Sequence, residues 1–182
     1  MEAYWSSKAL SRTAVHDFIK NESPQFEVIQ LLPSVVIGPD MLAETPEDVL
    51  TGTRALALAP LLGQAVPTPL VGVSVHVLDV AKAHVDSLST SVPGNRDYIL
   101  SSDTPEGIKW NDVLGIGEKY FASAIEKGIL KMGGSMETTV YKIETGEMEK
   151  AFGWRCTSFL ETVKELVELY VDLVEKRGIV EK

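Results

Sequence analysis

The chain has 182 residues, of which 45% are hydrophobic and 24% charged, and its formal net charge at pH 7 is −9. These values predict one globular domain, or one domain with a small appendage, and exclude disordered, collagen-like and repeat proteins. The acidic balance also excludes a nucleic-acid binder, because no stripe of Lys and Arg is available to displace counterions from phosphates.

The cysteine content and the apolar segments of the sequence bear on where in the cell the protein is expected. Cys156 is the one cysteine, and we expect it to be a packing residue. The first residues show neither the basic region nor the apolar stretch of a signal peptide, and no apolar run approaches the roughly 20 residues that cross a bilayer. We therefore expect a cytoplasmic protein that does not bind membranes.

The first elements are a helix and a buried strand. Residues Ala3 to about Asn21 carry apolar side chains at four-residue steps, and Ser23-Pro24 ends the pattern. Phe26 to Leu32 is short and mostly apolar and is closed by Pro33, which is typical of a central parallel strand. A helix followed by a buried strand indicates the α/β class.

The middle of the chain begins with a clear helix start. Thr45-Pro46-Glu47-Asp48 combines a capping Thr, a Pro at the first helical position and a capping-box acid, and this helix is predicted to run to about Leu62. Four further elements follow from hydropathy and turn signals: a strand over 72–77, a helix from Leu78 toward Leu88, a strand over 97–100 and a helix over about 110–126. Gly133-Gly134 is predicted to lie in a loop.

The last helix has the clearest pattern. A Ser158 to Glu161 capping box starts it and Gly178 follows it. Its apolar residues alternate in steps of four and three, which predicts one buried face: Phe159, Val163, Leu166, Tyr170 and Leu173.

Tyr4 and Lys8 are the candidate chemical groups. They stand four residues apart on the first predicted helix, so their side chains share one face. A carbonyl that accepts hydride develops negative charge on oxygen and needs a proton donor. A phenol with its ordinary pKa of about 10 serves only when a neighbouring cation favours the phenolate. The spacing alone is a weak signal, since an exposed Tyr beside a solvated Lys would give it too.

The order of the segments strengthens this interpretation. The helix and the strand are followed at once by Pro33-Ser34-Val35-Val36-Ile37-Gly38-Pro39. In an open α/β sheet, ligands lie beyond the carboxyl ends of the strands, which is where this segment is expected.

These residues resemble a known family. Tyr4-x-x-Ser7-Lys8 and Pro33-Ser34-Val35-Val36-x-Gly38-Pro39 are similar to the extended short-chain dehydrogenases/reductases. Within them, the branch of dihydroflavonol, cinnamoyl-CoA and fungal aldehyde (methylglyoxal) reductases is the most similar. The similarity continues through residues 75–84, 97–101 and 152–154 and so covers essentially the whole chain.

The resemblance implies an incomplete Rossmann-like, doubly wound α/β fold. Residues 1–44 would be the C-terminal part of an NADP-binding domain, and residues 45–182 would mainly bind substrate. Residues 72–90 would return to the Rossmann core.

The resemblance also implies a reaction, the NADPH-dependent reduction of an aldehyde or ketone. Tyr4 would be the general acid and Lys8 its activator, and both would contact the cofactor, Lys8 through the ribose. Pro33, Ser34 and Val35 would line the nicotinamide carboxamide. No metal is expected, because the spacings of the remaining candidate ligands match no metal motif: His16, His76, His84 and Cys156.

Two parts of the family pattern do not occur in the chain. These are the Gly-rich loop that binds the pyrophosphate and the Ser or Thr that shares the substrate oxygen with the Tyr. Gly115-Ile116-Gly117 is no substitute, because it lies inside a predicted helix. We therefore expect the C-terminal half of a reductase. The alternative is an inactive fragment that associates with an intact relative, in a dimer formed through the first helix.

Overall fold

The computed structural model describes the chain over residues 2–180, and within that range helices and strands are interspersed. The helices are α1 Glu2–Glu22, α2 Pro46–Val49, α3 Gly52–Leu58, α4 Val77–Asp86, α5 Asp112–Tyr120, α6 Ala122–Glu126, α7 Gly146–Phe152 and α8 Phe159–Val180. The strands are β1 Ile29–Pro33, β2 Val36–Ile37, β3 Ala65–Val71, β4 Val75–His76, β5 Arg96–Leu100 and β6 Ser135–Thr139.

The strands form three parallel pairs, β1 with β5, β2 with β4 and β3 with β6. In the first pair Leu31 lies opposite Tyr98 and Leu32 lies opposite Ile99. Parallel strands joined through helices are the mark of the α/β class, so the predicted class is confirmed. Over residues 2–180, β1 has β5 as its one strand neighbour.

Two apolar cores hold the helices against these strands. The larger one is built around α8, whose Val163, Leu166 and Val167 are buried with Trp110. Phe159 meets the Trp110 ring edge-on, with 5.6 Å between the centroids. The buried face predicted for the last helix is therefore confirmed. A smaller core lies between β1, β4, β5 and α7 and contains Val75, Ala83, Val92, Tyr98, Leu100 and Met148.

The capping box at Thr45 is confirmed, but the single helix predicted to follow it is wrong. Thr45 Oγ1 accepts from the backbone N–H of Asp48, whose carboxylate accepts in return from the Thr45 backbone. After α2, Thr51 takes an extended conformation and Gly52 has a φ of +57°, so the helix breaks and restarts as α3. A 3-10 turn over Ala59–Leu62 completes the segment.

Further boundaries also differ from the predictions. The helix expected over 110–126 is broken at Phe121 into α5 and α6, and the strand expected over 72–77 shortens to β4. Gly178 lies inside α8 instead of after it. No sequence signal predicted β6 or α7. β3 was not predicted either, because Pro67 and Pro69 lack the backbone N–H groups that pair in a sheet. The pairing register of β3 shifts between Val66 and Leu70.

The turn after β2 requires glycine at position 38. Gly38 is buried with a φ of +125°, and an added Cβ would lie 3.1 Å from Val77 Cγ1 and 3.3 Å from His76 Nε2. We expect Gly38→Ala to lower the free energy of unfolding by about 1–3 kcal/mol, because the backbone conformation and the close contacts both oppose a side chain. Thermal and denaturant unfolding would measure this change.

Gly115→Ala is the matched control. Gly115 is exposed inside α5 and nothing lies within 4 Å of its added Cβ, so the substitution should raise stability by up to about 1 kcal/mol. Equal effects at the two positions would contradict the assigned role of Gly38.

Candidate active site

Helix α1 lies on the outside of the molecule. Of its described side chains, Val15 and Ile19 are half-buried and the others are exposed. Leu10 is 70% exposed and Phe18 is 44% exposed. The apolar stripe that predicted this helix therefore faces away from both cores.

A cluster of polar side chains holds α1 against the sheet. Arg12 and His16 of α1 both reach the Asp97 carboxylate on β5, His16 Nε2 at 3.1 Å from Oδ2. Gln30 on β1 donates to the other oxygen of Asp97 at 3.0 Å. Burial alone would raise the pKa of Asp97, but the hydrogen bonds from Arg12 and His16 outweigh it and hold the pKa below its ordinary value.

Tyr4 and Lys8 lie together near the start of α1. Lys8 Nζ is 5.4 Å from the centroid of the Tyr4 ring, so the two side chains share one face as the spacing predicts. Ser7 Oγ donates to the Tyr4 carbonyl at 2.7 Å and thereby stays with its own helix. The Tyr4 side chain is 59% exposed.

A cavity of about 460 Å³ opens between the start of α1 and the sheet. Trp5, the neighbour of Tyr4, forms its α1 wall, while the end of β1 contributes Leu32, Pro33 and Ser34. The remaining lining side chains are apolar or aromatic: Val71, Val73, Ile99, Tyr141 and Ile143. Tyr4 and Lys8 are not among the lining residues.

The segment after β1 has one unsatisfied polar group. Ser34 Oγ is buried without a hydrogen-bond partner, although the Ser34 backbone N–H donates to Leu100 O at 2.9 Å. A buried hydroxyl without a partner costs stability, so its presence at a cavity wall is a candidate ligand contact. Val35 differs from its neighbours. It packs on the larger core, and its carbonyl accepts from Val75 N–H at 3.0 Å.

Residues 140–144, a segment that we call the strap, also contribute to the cavity lining. One end is fixed where Gly72 N–H donates to Thr139 O at 2.8 Å. The other end is fixed by Thr145, whose Oγ1 lies 2.8 Å from Thr104 Oγ1. Tyr141 and Ile143 alternate along the strap and line the cavity, whereas Val140 is 71% exposed and lies outside the lining.

Two groups that were excluded as metal ligands have their own local roles: His76 is buried and Cys156 is partly buried. His76 Nδ1 accepts from Leu78 N–H at 3.0 Å and caps α4, while its Nε2 lies 3.1 Å from Glu165 Oε2. Burial and the charge of Asp79 raise the pKa of Cys156 to about 12, so its thiol is protonated and unreactive at neutral pH. Among residues 2–180 no three His, Cys, Asp or Glu side chains converge as metal ligands.

The sequence interpretation missed Trp5, Tyr141 and Ile143 as parts of the site. Trp5 lies inside the Tyr-x-x-x-Lys motif at a position that the motif leaves open. Tyr141 and Ile143 alternate after β6, a strand that was not predicted, so no signal connected the strap with β1.

The polar contacts at Asp97 should control the mobility of α1. Asp97→Asn removes the charge that Arg12 and His16 share, so amide hydrogen exchange over residues 3–22 should accelerate while α8 stays protected. The same loosening should occur in acid. Because the pKa of Asp97 is lowered in the folded protein, its stabilisation of α1 is fully present above about pH 4, the ordinary carboxyl range. This stabilisation is lost as the pH falls through the lower pKa that Asp97 has in the folded protein.

Glu147→Gln is the control for this measurement, because it removes the exposed ion pair that Arg96, the residue before Asp97, makes with a neighbouring helix. Unchanged exchange in α1 after Asp97→Asn would show that something else holds the helix.

The known proteins that are similar in sequence to this chain include ketoreductases and NAD-dependent epimerase/dehydratases. A ketoreductase of Cercospora beticola is 31% identical over 179 residues, which are 97% of this chain and 50% of the relative. An NAD-dependent epimerase/dehydratase of Alternaria alternata is 31% identical over 173 residues, which are 90% and 49% of the two chains. No protein-family model matches the chain.

The solved structures agree on the fold. The yeast methylglyoxal/isovaleraldehyde reductase complexed with NADPH superposes with a TM-score of 0.70 at 22% identity, over 91% of this chain and 54% of the yeast chain. The chain is thus a homologue of fungal ketoreductases and NAD-dependent epimerase/dehydratases and spans about half their length. The predicted family resemblance is confirmed. No helix among residues 2–180 is long and apolar enough to cross a membrane.

Proposed function

We propose that this chain supplies the proton-donating pair and the substrate side of an NADPH-dependent reductase of aldehydes or ketones. The observation that carries the proposal is the arrangement at the end of β1: an apolar cavity with an unpartnered buried hydroxyl, Ser34 Oγ, beside the helix that presents Tyr4 and Lys8. The names of the ketoreductase and NADPH-complexed relatives support the same reaction.

Tyr4 is the proton donor in this proposal. As hydride reaches a carbonyl carbon, negative charge grows on the oxygen, and the Tyr4 phenol transfers its proton there. The Lys8 ammonium, on the same face of α1, favours the phenolate that remains. Lys8 can also donate a hydrogen bond to a sugar hydroxyl, because its ammonium has three protons.

Ser34 and Pro33 would hold the nicotinamide end of the cofactor. An amide offers both donors and an acceptor, so a carboxamide would satisfy the Ser34 hydroxyl, and Pro33 adds an apolar wall for a flat ring. When bound, NADPH supplies the hydride. The pyrophosphate would need contacts from the half of the relatives' length that this chain does not span.

A tyrosine substitution tests the proposed proton donor. We would join residues 1–182 to the half of the Cercospora beticola ketoreductase that the alignment leaves uncovered, and follow NADPH consumption with a neutral ketone. Tyr4→Phe should lower kcat by about 10²–10⁴-fold, the usual contribution of a positioned general acid. Tyr120→Phe is the matched control. The Tyr120 ring centroid lies 4.9 Å from Nζ of both Lys119 and Lys164, so this tyrosine also has lysine neighbours, but it belongs to α5 and not to α1.

The proposal would be wrong if kcat were unchanged by Tyr4→Phe, or if Tyr120→Phe lowered kcat by the same factor. Circular dichroism of both variants should match the parent, because each change removes one hydroxyl from an exposed ring.

The exposed face of α1 favours a second candidate, an inactive chain that associates with an intact relative. Leu10 and Phe18 leave large apolar surfaces in water, and such surfaces commonly mark protein contacts. β1, whose Gln30 contacts His16 of this helix, has one strand neighbour among residues 2–180.

Sedimentation tests the second candidate. The chain mixed with the Cercospora beticola ketoreductase should form a larger species that Leu10→Glu abolishes, since a buried charge without a partner opposes association. Leu88→Glu, at a leucine 85% exposed outside α1, should leave the complex intact. Tyr4→Phe should also leave it intact. Two independently sedimenting proteins would rule this candidate out.

A further inference from the structure

His76 is a buried imidazole whose two ring nitrogens both have partners. Nδ1 accepts from Leu78 N–H at 3.0 Å, so Nδ1 carries no proton and the ring proton is on Nε2. Nε2–H then donates to Glu165 Oε2 at 3.1 Å. These two contacts select one neutral tautomer and fix the ring between the start of α4 and α8.

The imidazole lies directly against the turn that follows β2. His76 is paired with Ile37, and the residue after Ile37 is the buried Gly38. A Cβ at Gly38 would lie 3.3 Å from His76 Nε2 and 3.4 Å from Cδ2, so the edge of the ring fills the space beside the backbone of the turn. The turn therefore cannot shift toward the ring unless the ring gives up its contacts with Leu78 and Glu165.

This turn ends the segment that carries Ser34. β2 and β4 pair over only two residues each, and Val75 N–H donates to Val35 O at 3.0 Å. So short a pair has few backbone hydrogen bonds and opens easily unless its end is supported. Glu165 can supply this support, because the next residue of α8, Leu166, is fully buried in the larger core.

We infer that His76 and Glu165 are positioning residues: through the turn at Gly38, they hold Ser34 where its hydroxyl can meet the nicotinamide end of the cofactor. Neither residue lines the cavity, so they act on the backbone of the segment and not on a ligand. The inference rests on the proposed function and deepens it. It predicts weaker NADPH binding when the bridge between His76 and Glu165 is removed, and no direct effect on proton transfer from Tyr4.

Amide hydrogen exchange of the full 182-residue chain tests the bridge without turnover. Glu165→Ala removes the acceptor and should accelerate exchange over residues 35–38 at least about 10-fold, the usual contribution of a hydrogen bond to a charged group. Glu165→Gln keeps an acceptor oxygen and should retain most of the protection. Glu168→Ala, at an exposed residue of the same helix, is the matched control and should leave these amides unchanged.

NMR and replacement of the histidine test the other side of the bridge. The chain has three histidines, and His76→Asn identifies the His76 signals in spectra of the imidazole nitrogens. In the folded chain the proton should be found on Nε2 and not on Nδ1. Asn can still cap α4 through its side-chain oxygen but is too short to reach Glu165, so His76→Asn should loosen residues 35–38 as Glu165→Ala does. If thermal unfolding shows that His76→Asn disturbs the fold, Glu165→Ala decides alone, because that side chain is 48% exposed.

The joined enzyme described above separates positioning from catalysis. Glu165→Ala should raise KM for NADPH about 3–10-fold and change kcat by less than about 2-fold, because binding and not proton transfer is altered. Glu168→Ala should change neither. Equal KM values for these two variants, equal exchange over residues 35–38, or a proton on Nδ1 of His76 would overturn the inference.

Failure of the positioning role can be told apart from failure of the proposed reaction. If kcat is unchanged by Tyr4→Phe while Glu165→Ala still accelerates exchange and raises KM, the proton donor is wrong and the positioning role stands. If turnover depends on Tyr4 while Glu165→Ala and Glu168→Ala behave alike, the reaction stands and the positioning role is wrong. The exchange measurement decides the role of the bridge even if the joined enzyme is inactive.

Discussion

The position of α1 depends on a single carboxylate. Asp97 lies on β5 and is reached by Arg12 and His16 from the helix and by Gln30 from the neighbouring strand. Hydrophobic burial contributes little to holding this helix, since nearly all of its described side chains are exposed. Tyr4 precedes Arg12 by eight residues, about 12 Å along a helix, so the rigidity of α1 must carry the placement from the polar contacts to the phenol.

The cavity therefore has one firm wall and one that polar contacts support. The strap and the strands beneath it rest on the larger core, where Trp110 is fully buried and its Nε1–H donates to Val71 O at 2.8 Å. Trp5, which also lines the cavity, belongs to α1. Ion pairs with exposed partners are weak and are screened by salt, so the part of the cavity lining that belongs to α1 is the less firmly held.

The sequence predicted well wherever a local physical signal existed. The Thr45 capping box, the apolar face of α8 and the shared face of Tyr4 and Lys8 follow from spacings that need no tertiary information. The helix breaks at Thr51 and Phe121 did not follow, because both depend on backbone angles that packing imposes. Strand β3 carries two prolines and is stabilised by its distant partner β6, and a local pattern cannot reveal such a pairing.

The residues of the candidate site also divide into those that a local sequence pattern predicted and those that it did not. Pro33 and Ser34 were predicted from a contiguous motif, and the structure places both at the cavity, although their contact with a cofactor stays a prediction. Tyr141 and Ile143 reach the same cavity from more than one hundred residues away through the unpredicted strand β6. The part of the cavity near the motif was thus accessible from sequence, while the part formed by the strap was not.

Water around Tyr4 separates the two candidate functions. Attraction between two unit charges about 4 Å apart is about 1 kcal/mol in water and about 4 kcal/mol at the effective dielectric constant of a protein surface. With Tyr4 59% exposed, the Lys8 ammonium acts on the phenol largely through solvent. A ligand or partner that covers the Tyr4 and Lys8 face itself would exclude water and strengthen this attraction. Leu10 lies on another side of α1, because six residues from Tyr4 correspond to a rotation of about 240° around a helix, so association through Leu10 would leave the water around Tyr4 in place.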